Sequence, residues 1–227
     1  MKKIAKLAAV LCVMVLSAAC TFHVNNGGKN VRCKGPVADK MFDLKDFDSI
    51  EISGASNIRL LQGESFLVTV NANEEVFDHL NYRVEDGVLI LGTIDNVTIM
   101  AEKYEVTVAL PVLKSFVVNG AADADMKGYT ASENLSIVIN GAGDMDFSSL
   151  TLPEVSIVVN GAGDINLDNV HLDVLKIEVN GAGDAKVSGK AGRAVFSVSG
   201  VGGINAKELE CEDIETHKSG IASIRTK

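Results

Sequence analysis

From residue 115 onward, apolar and polar side chains alternate with period two, and the alternation runs into an evenly spaced glycine. Ahead of the glycines, one parity holds Phe116/Val118, Ile137/Ile139, Ile157/Val159, Ile177/Val179 and Phe196/Val198. This parity is uniformly apolar and predicts an inward face. The opposite parity holds Val117, Val138, Val158, Glu178 and Ser197, accepts charge, and predicts an outward face. Past the glycines, Met145/Phe147, Ile165/Leu167 and Ala185/Val187 face in, with Asp146, Asn166 and Lys186 between them facing out. Each unit therefore reads as strand, corner, strand and a less regular return that contains Leu150/Leu152 or Val170/Leu172. No segment here holds a 3.6-residue period, which excludes helical repeats.

The units repeat. VNGAADADM starts at Val118, INGAGDMDF at Ile139, VNGAGDINL at Val159 and VNGAGDAKV at Val179. Weaker copies are VSGVGGINA from Val198 and KSGIASIRT from Lys218. The leading glycines are Gly120, Gly141, Gly161, Gly181, Gly200 and Gly220, at intervals of 21, 20, 20, 19 and 20. ISGASNIRL from Ile52 puts Gly54 in the same slot. Twenty residues with two or three short strands make one coil of an all-β solenoid, whose equivalent strands pair in parallel at roughly 4.8 Å. Seven coils give a rod of roughly 30 Å. A sharp corner calls for φ > 0, which glycine reaches without steric cost, and stacked corners leave little room for Cβ atoms. Asn119, Asn140, Asn160 and Asn180 precede the corners and predict an amide ladder along the stack.

Residues 55–115 interrupt this order. The sequence predicts a hairpin over 58–70 about Gln62-Gly63-Glu64, a short helix over 73–80, a hairpin over 82–91 about Asp86-Gly87 and a strand over 104–111. This block is expected to cap the N-terminal end of the stack, whose first coil otherwise offers a bare edge.

The first twenty residues change the setting. Lys2, Lys3 and Lys6 precede the apolar run 7–16, and Ser17-Ala18-Ala19 supply the small residues of a cleavage site. The run is too short to span a bilayer well. With Cys20 following at once, the segment resembles a bacterial lipoprotein signal, although Ser17 stands where that signal usually has Leu. The resemblance implies that residues 1–19 are a removed signal peptide, that Cys20 is lipidated, and that a flexible tether over 20–40 leads to a domain over 41–227. The expected site is the cell envelope, at the outer membrane, with the lipid as the membrane contact. The net charge of −9 becomes −12 without residues 1–19, which argues against nucleic acid as a partner. The composition of 21 Gly, no Trp and 11 Phe or Tyr suits a narrow interior filled by Ile, Val, Leu and Ala. Cys33 and Cys211 are expected as free thiols rather than a disulfide. No CxxC or Cys/His cluster suggests zinc.

The opening FDSIEISGASNIRLLQG, the NGAGD units and the Gly203-Ile204-Asn205 triplet together resemble the putative auto-transporter adhesin head GIN domain family of bacterial lipoproteins. The resemblance covers roughly residues 42–227. It implies a right-handed parallel β-helix, the handedness also following the crossover rule, and an adhesin-like role.

Candidate chemistry is sparse. Asp123, Asp144, Asp164 and Asp184 hold one slot in four successive coils. They are the only metal candidates, and the ion would be Ca²⁺ held through oxygen ligands. The spacing departs from the G-G-x-G-x-D calcium motif in both position and period. The competing reading is that each carboxylate accepts a backbone N–H at the corner. No other cofactor is expected. Val117, Val138 and Val158 are expected to stack as an outward apolar stripe, a patch for a glycan or surface protein, or simply cover. The chain has no G-x-S-x-G, H-E-x-x-H or P-loop, since Gly183…Gly189-Lys190 misses the last by one residue, and His23, His79, His171 and His217 are scattered. The expected function is non-catalytic binding. A polysaccharide-acting β-helix enzyme and a structural or sensory periplasmic lipoprotein are the alternatives. The terminal coil over 218–227 is expected to offer an edge to another chain.

Overall fold

The computed structural model describes residues 29–94 and 97–227. The signal segment, Cys20 and His23 lie outside the described residues. The fold is all-β, and the single helical piece among the described residues is a 3-10 turn over Glu74–His79. The strands are β1 (Lys29–Cys33), β2 (Val37–Phe42), β3 (Ser49–Gln62), β4 (Leu67–Asn73), β5 (Leu80–Glu85), β6 (Val88–Thr93), β7 (Val97–Ala101), β8 (Tyr104–Leu110), β9 (Ser115–Thr130), β10 (Leu135–Ile139), β11 (Met145–Val159), β12 (Ile165–Glu210) and β13 (Asp213–Arg225).

The repeat stacks in register, as its period requires. β3 pairs with β9, β9 with β10 and β11, β10 with β11, β11 with β12, and β12 with β13, all in parallel. Ile137 lies beside Phe116 and Ile157, and Ile157 beside Ile177, so equal slots of successive turns are neighbours. The inward parity is buried throughout: Phe116, Ile137, Val159 and Phe196 are fully enclosed. Beyond the corner, Met145, Phe147, Ile165, Leu167 and Val187 complete the core.

The corner glycines have a different cause from the one that turn geometry suggests. φ is positive at Gly54, Gly120, Gly200 and Gly220 but not at Gly141, Gly161 or Gly181. What all except Gly54 share is contact between main chains. A Cβ on Gly141, Gly161 or Gly181 would sit inside the carbonyl oxygen of the corner glycine one turn earlier. The alanine after the Gly141, Gly161 and Gly181 corners is bonded to the turn before, Ala142 N–H donating to Gly120 O, Ala162 N–H to Gly141 O and Ala182 N–H to Gly161 O, each at 2.8 Å.

A second corner escapes the sequence reading. Gly128, Ser149, Asn169 and Gly189 fall 20 or 21 residues apart and adopt φ of 71, 56, 54 and 113°. The signal was present as small or Asn side chains at a constant interval, but glycine occupies only two of the four positions. Left-handed backbone at a serine costs about 1–2 kcal/mol.

The N-terminal part departs from the solenoid. The eleven-stranded sheet is mixed, not uniformly parallel, and does not close: its order is β13-β12-β11-β10-β9-β3-β8-β4-β2, with the β5–β6 hairpin attached to β3. The 82–91 hairpin forms as expected, with Asp86 and Gly87 both at positive φ in a tight turn. The 58–70 hairpin does not. β8 inserts between its two arms, parallel to β3 and antiparallel to β4. Alternation marks each arm as a strand without naming its neighbour. β6 covers residues 49–53 of β3 and β8 covers 57–62, so the first turn's free edge is taken.

The tether expected over 20–40 also gives way from residue 29. β1 pairs with β7, and β2 adds to β4. Asn73 fixes the link between them: it is buried, its side-chain amide donates to Gly35 O at 2.7 Å, and its side-chain oxygen accepts from Lys103 N–H at 2.9 Å. These contacts are non-local and leave no periodic trace in a short polar segment.

Gly161→Ala is expected to cost about 3 kcal/mol or more, because its Cβ meets backbone that cannot rotate away. Gly63→Ala, whose nearest neighbours would lie at 3.5 Å, should be near neutral. Ser149→Gly should gain up to about 1 kcal/mol by relieving its left-handed backbone. Denaturant unfolding of the three variants checks the set.

Candidate functional site

The strand that follows each corner carries two outward columns. The first is Asn57, Asp123, Asp144, Asp164, Asp184, Gly203 and Ser223. The second is Arg59, Asp125, Asp146, Asn166, Lys186, Asn205 and Arg225. Neighbours along a column sit about one strand spacing apart, roughly 4.8 Å. Six aspartates occupy the middle, with Arg59 at one end and Lys186 and Arg225 at the other.

Three cavities lie along this face, of about 320, 530 and 590 Å³. Asp144 lines all three, which makes them one groove along the stack. Its walls mix these carboxylates and amides with the alanines and glycines of the corner. Arg59 reaches Asp125 at 3.4 Å, and Asn166 Nδ2 donates to Asp146 at 3.1 Å.

The first column is wired to the backbone. Asp123 Oδ1 accepts the N–H of Asp144 at 3.1 Å, Asp144 Oδ1 that of Asp164 at 3.0 Å, and Asp164 Oδ1 that of Asp184 at 2.9 Å. Asp123, Asp144 and Asp164 thus each accept a main-chain donor, but that donor belongs to the next turn and not, as the backbone reading expects, to the same corner. Among the described residues, no three acidic, His or Cys side chains converge to hold a metal ion. The asparagine ladder forms as expected: Asn140 donates to Asn119 at 2.9 Å, Asn160 to Asn140 at 3.0 Å and Asn180 to Asn160 at 3.2 Å. Asn119 closes the ladder on Glu51 at 3.0 Å.

Val117, Val138 and Val158 do stack in register, half-buried rather than open. Glu51 and Glu178 flank them in the same column. This short stripe between two acids is a weaker candidate than the groove. A further groove of about 790 Å³ crosses the returns, with Leu152, Leu172 and Ala191 as its floor. At its rim Lys190 pairs with Glu210 at 3.1 Å and holds that carboxyl below its usual range.

His79, His171 and His217 lie on three different elements, the 3-10 turn, β12 and β13. His217 reaches only Glu215, at 2.8 Å. Cys33 and Cys211 are free and lie far apart along the fold, one in β1 and one just before β13. Burial raises the pKa of both thiols.

A family model described as "Putative auto-transporter adhesin, head GIN domain" matches residues 46–169 and again 149–227. No curated protein matches the chain. Among solved structures, a putative lipid binding protein from Parabacteroides distasonis ATCC 8503 superposes with TM-score 0.74 at 18% identity, over 88% of this chain and 100% of that one. A putative adhesin from Bacteroides fragilis NCTC 9343 gives TM-score 0.72 at 18% identity, over 87% of this chain and 100% of that one. At such identities the likeness speaks for the fold alone.

Asp144→Ala should destabilise the protein by about 1 kcal/mol, through loss of an acceptor for a main-chain donor. Asp144→Asn keeps the acceptor and removes one of a row of like charges, so its melting temperature should equal or exceed that of the parent. Parallel thermal melts of the two variants separate wiring from charge.

Proposed function

The chain belongs to the putative auto-transporter adhesin, head GIN domain family, and from that premise we propose that it is a non-catalytic binding module of the cell envelope. The observation that carries this reading is the groove shared by three cavities, in which carboxylates and amides recur through the middle turns. A repeating row of acceptors and amides suits a repeating ligand. An extended glycan, whose hydroxyls such groups recognise, fits better than a compact small molecule. Catalysis generally rests on a one-off cluster of unlike groups with displaced proton affinities. Here the acids recur by turn and are spent in part on the backbone.

In this reading the stacked turns form a right-handed parallel β-helix, its hand following the crossover rule. Cys20 carries a lipid that holds the domain at the outer membrane, so the groove works beside a membrane rather than within one. Among the described residues no helix is long and apolar enough to cross a membrane.

Residues 21–227 screened against glycans and matrix proteins should retain an extended polysaccharide. The double variant Asp144→Lys/Asp164→Lys should lose it by at least tenfold while keeping a cooperative melt. Equal retention by both proteins would remove the groove from the proposal. Radiolabelled palmitate should enter the wild type in growing cells and be absent from Cys20→Ala.

A further inference from the structure

The last turn is unlike the others. β13 is paired along one edge only, with β12, and no described strand lies on its other side. Its core-facing positions turn polar: Thr216 lies beside Phe196, and Lys218 beside Val198. The alanine column next to the first corner, Ala121, Ala142, Ala162 and Ala182, enlarges at this end to Val201 and Ile221. These two are 57% and 79% exposed, and Ile221 is the most exposed large apolar side chain among the described residues. Ile214, Ala222 and Ile224 pack only partly against the core.

We propose that this edge pairs with the same edge of a second copy, antiparallel, about a two-fold axis at Ser219. The axis bisects the terminal corner, so the arm 213–218 of one copy runs along the arm 220–225 of the other. Core-facing positions then oppose core-facing positions, as a continued sheet requires.

The side chains are self-complementary in this register. Asp213 opposes Arg225 twice, and Ile214 opposes Ile224 twice. Arg225 has no ion-pair partner among the described residues, whereas Asp213 and Glu215 already share Arg193 at 3.0 and 2.7 Å, so the acidic arm has room for a second cation. Lys218 falls opposite Gly220, which presents no side chain against its stem. No like charges are directly opposed, and cross-strand pairs of opposite charge or matched apolar surface favour pairing. The two-fold closes after two copies, so the contact makes a dimer and not a fibre.

Ser219 opposes itself, which gives a direct test. In the full chain with Cys12, Cys20 and Cys211 changed to Ser, Ser219→Cys should give a disulfide dimer under mild oxidation. Ser199→Cys occupies the equivalent exposed slot one turn back and should remain monomeric. Adding Arg225→Asp to Ser219→Cys should cut the dimer yield at least fivefold with an unchanged melt. Equal cross-linking at the two cysteine positions, or none at Ser219→Cys, overturns the dimer. A yield insensitive to Arg225→Asp overturns the register.

Discussion

Main chain touches main chain at the first corner, and the rest of the domain is arranged around that contact. From Gly120 on, each corner glycine lies so close to the corner before it that a Cβ would coincide with a carbonyl oxygen. Turns that approach this tightly must be of nearly equal length, or the ladders on either side would lose register. The intervals of 19 to 21 residues reflect that demand. Once the corners are aligned, the core positions stack by identity of slot, and so do the Asn ladder and the Asp column.

Regular stacking creates a problem at each end, and the two ends solve it differently. At the first turn, β6 and β8 occupy the free edge of β3, and the apolar interior continues into Leu89, Leu91, Val106 and Val108. At the last turn no described strand follows. The core-facing slots change from Phe196 and Val198 to Thr216 and Lys218, which tolerate water. The first end is closed by packing and the last is softened by polarity, and the last turn keeps its outer edge free of any described strand.

The same regularity shapes the candidate site. Any residue placed after the corner is copied along the stack, so a chemical property there becomes a row. Rows of acids repel one another, and the structure offsets part of this by directing Asp123, Asp144 and Asp164 onto main-chain N–H groups. The sequence located this column and its two competing readings. It also turned Asp146, Asn166 and Lys186 outward beside this column, but it did not reveal that Arg59 and Asp125 continue that second row, because the row shares no common letter. Nor did it reveal the second corner, where Ser149 and Asn169 stand in for glycine.

The sequence by itself determined the turn length, the face of every strand in the repeat, the first corner and the family. Periodicity encodes these because burial and backbone clash act on each position in the same way in every turn. Only the tertiary structure decided which strands are neighbours. It put β8 between β3 and β4, drew β1 and β2 into strand pairs instead of a tether, and gave Asp123, Asp144 and Asp164 a donor from the following turn. Backbone hydrogen bonding is the same for every sequence, so an alternating segment announces which side is buried and is silent about the partner along its edge.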